Sequence, residues 1–133
     1  MKNLLLIFAL VVSTNLVKGQ CKSDECVSKL SDGYTFLKTY KMETVGDQTE
    51  YSYVFSKDTN YILVLCNKEG SADNISVTLL DANKKEIATS YDKKNNKFFS
   101  AIAYTCKATG IYYLRFTYKE KPECCVSVLA FKK

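Results

Sequence analysis

Residues 108–118 read ATGIYYLRFTY, and the spacing of their apolar side chains decides the fold. A Thr-Gly pair marks a turn, and the segment beyond it alternates with a period of two, the period of a β-strand. Tyr112, Leu114, Phe116 and Tyr118 share one face, uniformly large and apolar, which predicts burial. Ile111, Tyr113, Arg115 and Thr117 share the other, a mixed set suited to solvent or to a sheet neighbour. The tyrosine row is therefore mostly core wall. Tyr113 beside Arg115 is the one candidate for an exposed aromatic–cation pair in contact with a ligand.

The same grammar repeats upstream and downstream. Tyr34–Met42 alternates, and Tyr51–Ser56 places Tyr51, Tyr53 and Phe55 on one face. Tyr61–Cys66 (YILVLC) is continuously apolar, as expected of a strand buried on both sides. Ile75–Leu80 alternates again, followed by Glu86–Tyr91, Phe98–Cys106 and Cys124–Phe131. Asp, Asn and Gly cluster between these runs and favour turns. About eight short strands at this spacing predict an all-β chain, an antiparallel sandwich or small barrel. No apolar stripe at helical period is long enough for a core helix.

The first 19 residues, MKNLLLIFALVVSTNLVKG, carry a basic start, a short apolar run from Leu4 to Val12, and small residues at Val17 and Gly19. That is a secretory signal peptide, too short to span a bilayer. Residues 20–33 form an N-terminal cysteine-containing segment, a short helical turn or a loop, and residues 34–133 the sandwich domain. The expected location is secreted or periplasmic. Removal of the leader takes Lys2 and Lys18 with it and leaves a net charge of +3. With Arg115 the only arginine and the lysines scattered through loops, nucleic acid is excluded as a partner. The mature chain is not expected to span a membrane.

Six cysteines lie beyond the leader: Cys21, Cys26, Cys66, Cys106, Cys124 and Cys125. An even number in a small exported domain points to disulfides, with 15 possible pairings. A Cys21–Cys26 link or a longer one would pin the N-terminal segment. Adjacent Cys124 and Cys125 would face opposite sides of a strand and take different partners, or leave one thiol free. Zinc is the competing reading, disfavoured by the lack of CxxC and of any histidine.

The absence of histidine also removes Ser–His–Asp and Cys–His catalysis. Carboxylate pairs drawn from Asp24, Glu25, Glu120 and Glu123 could still hydrolyse glycans, the least favoured reading, since all sit in charged loops. Asp73, Asn74, Asp81 and Asn83 are too few oxygen donors for calcium and read as turn residues. No metal or cofactor is expected. Asn74-Ile75-Ser76 is an N-glycosylation sequon that matters only in a eukaryotic secretory pathway.

EYSYVFSKDTNYILVL, ISVTLLDANKKEIATSY, ATGIYYLRFTY and CVSVLAF, in that order from Glu50 to Phe131, resemble the bacterial pre-peptidase C-terminal domain. The resemblance implies a jelly-roll-like β-sandwich acting as a non-catalytic module. In that family some members bind collagen or glycans, and some bind calcium. The chain departs from the family in its six cysteines and its reduced acidic cluster. VTLLDANKKEIATS, TGIYYLRF and the Lys132-Lys133 end also resemble C-terminal sorting domains of type IX secretion. In those the hairpin carries Asn-Gly-Lys, whereas here it reads Asn83-Lys84-Lys85. The expectation is thus a small exported binding or envelope-associated module for a carbohydrate or protein ligand. The alternative is a structural protein docking to a partner by a strand edge or a tyrosine patch.

Overall fold

The computed structural model describes residues 26–30, 32–42, 46–67, 74–118 and 125–132, with only the backbone of Asn67, Cys125 and Val126. The expected signal peptide, Cys21 and Cys124 lie outside these residues, as do Asp24, Glu25, Asp73, Glu120 and Glu123.

Ten strands are described: β1 (Thr35–Lys41), β2 (Gln48–Phe55), β3 (Asn60–Asn67), β4 (Ile75–Leu80), β5 (Glu86–Thr89), β6 (Tyr91–Asp92), β7 (Lys97–Phe98), β8 (Ala101–Thr105), β9 (Gly110–Tyr118) and β10 (Cys125–Lys132). One sheet has the order β1-β10-β3-β8 and the other β2-β9-β4-β5, with every pairing antiparallel. With the two-residue strands β6 and β7 set aside, eight strands remain. Their orders are first-eighth-third-sixth and second-seventh-fourth-fifth, the connectivity of a jelly roll. The fold is an all-β antiparallel sandwich.

The two extra strands come from splits in longer β-prone runs. Glu86–Tyr91 reads as one strand, but the chain bends at Ser90, which is fully buried. Its Oγ accepts the Val77 N–H at 2.9 Å, and its own N–H donates to the Val77 carbonyl at 2.9 Å. Its carbonyl accepts the Phe99 N–H at 2.8 Å. Ser90 thus ties off sheet β2-β9-β4-β5 and starts the crossover, through the β6–β7 hairpin, to β8 in the opposite sheet. At the tip of that hairpin Asp92 accepts from Asn95 and Lys94, and those bonds hold its carboxyl below the usual value. Lys93 and Lys94 are exposed in the hairpin turn, as the sequence indicated, whereas Lys97, also exposed, lies on β7.

The core lies between the sheets. Tyr112, Leu114, Phe116 and Tyr118 are all buried there, facing Leu63, Leu65 and Leu129. Phe55 stacks between Tyr61 and Tyr112, at 4.0 Å and 5.0 Å between ring centroids. Stacked and edge-on aromatic pairs of this kind add about 0.5–1.5 kcal/mol each beyond their area burial. Tyr112 donates its hydroxyl to the Ala108 carbonyl at 2.7 Å and so anchors the turn into β9, an arrangement like a tyrosine corner. Two buried polar atoms, Tyr40 Oη and Ser127 Oγ, have no hydrogen-bond partner among the described residues.

The continuous apolar run of β3 is buried on both sides. Its outer face, with Val64 and Cys66, joins Val128 beneath the N-terminal segment, where Cys26, Val27 and Leu30 pack. Cys26 and Cys66 form a disulfide, so the short Cys21–Cys26 link is excluded and the longer one holds. Cys106 departs from the disulfide expectation. It is a free, buried thiol 3.2 Å from the Ala108 carbonyl and 3.6 Å from Tyr112 Oη.

Candidate functional site

The mixed face of β9 is the outer face of the β2-β9-β4-β5 sheet. Register places Glu50 opposite Arg115, Ser52 opposite Tyr113 and Val54 opposite Ile111. On the other flank of β9, Thr78 lies opposite Arg115 and Leu80 opposite Tyr113. Because facing residues share a side, one strip of surface carries Val54, Ile111, Tyr113, Arg115 and Glu50.

Sequence reasoning singled out Tyr113 and Arg115, and both are half-buried on this strip. They are linked through two residues it did not select, Glu50 and Lys84. Arg115 Nε donates to Glu50 Oε2 at 3.0 Å, and the Lys84 ammonium donates to Glu50 Oε1. The same ammonium sits 3.4 Å from the centroid of the Tyr113 ring. The Lys84 hydrogen bond, followed by that of Arg115, holds the Glu50 carboxyl below its usual value.

Lys84 reaches this position through the β4–β5 turn. Asp81 Oδ1 accepts the N–H groups of Asn83 and Lys85, each at 2.9 Å, and the Asp81 carbonyl accepts the Lys84 N–H at 3.0 Å. This is turn chemistry at Asp81, as the sequence indicated. It leaves Lys84 in the left-handed region at φ 62°, where glycine is the default residue. Asn83-Lys84-Lys85 thus has a lysine at the strained position.

Beyond the charged cluster the strip turns apolar. Val54 is 58% exposed and Ile111 49%, directly opposite each other. Their neighbours along each strand, Phe55 and Tyr112, are buried, which fixes both side chains outward.

Among the described residues no group of three or more His, Cys, Asp or Glu is placed to hold a metal ion, and no helix is long and apolar enough to cross a membrane. Asn74, the sequon asparagine, is exposed just before β4 at φ 65°.

No family model matches the chain, and no curated protein matches it. Among solved structures it is similar to a periplasmic lysozyme inhibitor of g-type lysozyme from Aeromonas hydrophila, at 11% identity and a TM-score of 0.47 over 78% of this chain and 92% of that one. A likeness at this level carries no functional argument.

Proposed function

We propose that this chain is a small, exported, non-catalytic jelly-roll module that binds a protein partner through the outer face of the β2-β9-β4-β5 sheet. The observation that carries the reading is the facing pair Val54 and Ile111, exposed beside Tyr113, Arg115, Glu50 and Lys84. Protein interfaces combine aromatic and arginine anchors with apolar contacts inside a polar rim. Here the anchor is already positioned, so little side-chain entropy remains to be lost on docking. A stacked sugar is the less suitable ligand, because the Lys84 ammonium already lies against the Tyr113 ring.

Export rests on the leader sequence and the cysteine content. The non-catalytic role rests on the lack of histidine and on an outer-face carboxylate, Glu50, that is tied to two cations. Kinship with pre-peptidase C-terminal domains is part of the same proposal, supported by the motif order and by the jelly-roll connectivity.

The test is a binding measurement with paired variants. Exported proteins from the source compartment would be titrated, with g-type lysozyme included as one defined probe. For a partner of this face, Tyr113→Ala or Ile111→Lys should weaken binding tenfold or more, the scale of a lost anchor residue. Lys41→Ala, at an exposed position on β1, should not. Equal binding by all three variants overturns the assignment of the face.

A further inference from the structure

We propose that the free edge of β8 pairs antiparallel with β8 of a second copy of this chain. The sandwich has four edge strands: β1 and β8 in one sheet, β2 and β5 in the other. Charged side chains on an edge discourage pairing with another chain. Lys38 and Lys41 guard β1, Glu50 lies on β2, and Glu86 on β5. β8, AIAYT, has none, and the uncharged run continues from Phe98 to Cys106 between Lys97 and Lys107.

The backbone of this edge is set up to pair. Ser100 accepts the Leu65 N–H at 2.7 Å, and the Cys106 N–H donates to Thr59 at 3.0 Å. Antiparallel alternation therefore turns the polar groups of Ile102 and Tyr104 toward β3, and those of Ala101, Ala103 and Thr105 outward. Among the described residues no strand lies on that side of β8.

A second copy fits this edge in a symmetric register centred on Ala103. A two-fold axis through Ala103 sets Ala103 against its symmetry mate, Ala101 against Thr105, and Ile102 against Tyr104. Isologous contacts of this kind are the commonest in oligomers. Three facing pairs then exchange about two backbone bonds each. Ile102 and Tyr104 both pack toward the main core, so their cross-strand contact would join the two cores with a favourable aromatic–aliphatic pair. Ala103 and Thr105 are exposed and small, which leaves room for a second strand. In this register Lys107 falls opposite Phe99 and Lys97 opposite Thr109, so no lysine faces a lysine.

The inference does not depend on the face carrying Tyr113, and its test separates the two. Light scattering on the oxidised mature chain should show a monomer–dimer equilibrium that shifts with concentration. Ala103→Lys and Ala103→Glu each place like charges across the axis and should weaken dimerisation at least tenfold. An equal mixture of the two should restore a heterodimer. Tyr113→Ala should leave the equilibrium unchanged. Circular dichroism and the melting profile of each Ala103 variant check that it remains folded. A wild-type monomer up to its solubility limit, a dimer that Ala103→Lys leaves intact, or a dimer that reductant alone dissolves would each overturn the proposal.

Discussion

Lys84 holds the charged cluster together at a conformational cost, and replacing it separates the two effects. In Lys84→Ala the ion pair with Glu50 and the contact with the Tyr113 ring are both lost. An exposed ion pair is worth about 0.2–1 kcal/mol and an exposed cation–π contact about 0.5–1 kcal/mol. Lys84 is 44% exposed, so the lower half of each range applies and the loss is about 1 kcal/mol. Alanine keeps the cost of a left-handed backbone, about 1–2 kcal/mol. In Lys84→Gly the same contacts are lost but that cost is removed, offset by about 0.5–1 kcal/mol of extra chain entropy in the unfolded state. Glycine should therefore be more stable than alanine here by about 0.5–1 kcal/mol, against its usual ranking. The chain has no tryptophan, so urea unfolding would be followed by tyrosine fluorescence and circular dichroism. At ~4–8 °C per kcal/mol the two variants should melt several degrees apart. An alanine variant as stable as the glycine variant would refute the left-handed assignment and the reasoning built on it.

Three further outcomes are expected. Lys84 and Arg115 lower the Glu50 carboxyl from 4.5, so its stabilisation is present above about pH 4.5 and fades as pH falls through the folded value. Glu50→Gln should differ from the parent in neutral denaturation curves and converge with it in acid. Burial first, then the nearby Tyr53 and Tyr51, pushes Tyr40 up to about 12, so stability should fall between pH 10 and 12. Tyr40→Phe should blunt that loss and, by removing a buried hydroxyl without a partner among the described residues, gain about 1 kcal/mol at pH 7 in chemical denaturation. Replacing Cys26 and Cys66 together by Ala should cost about 3–4 kcal/mol, because the disulfide closes a loop with a sequence separation of 40. Parallel melts of parent and variant under oxidising conditions would measure it.

The strands were legible because burial and period agree along them. Tyr112, Leu114, Phe116 and Tyr118 alternate with polar or smaller neighbours, and one face of β9 has only one way to be buried. The apolar run of β3 announced two buried faces, though not that the N-terminal segment covers the second. The bend at Ser90 left no signal, since serine is unremarkable inside a β-prone run and its role depends on the Val77 backbone opposite. The pairing of Cys26 with Cys66 and the free thiol of Cys106 depend on distances in space that spacing along the chain does not encode.

The candidate site was half legible. Tyr113 and Arg115 stand out as large polar-edged residues on the outward face of a core strand. Glu50 comes from the paired strand and Lys84 from a turn 34 residues away, and strand register together with the β4–β5 turn brings them together. The one available hint was the lysine at the Asn83-Lys84-Lys85 turn, a place where the sorting-domain hairpins it resembles in sequence carry glycine.

The claim that the outer face of the β2-β9-β4-β5 sheet is the partner face is tested most directly by site-specific photocrosslinking in the exported compartment. Probes at Ile111, Val54 and Lys41 would be compared, each with and without Tyr113→Ala. The account predicts one discrete adduct shared by Ile111 and Val54, lost with Tyr113→Ala and missing at Lys41. Adducts of equal yield at Lys41, or none at Ile111 and Val54, would contradict it.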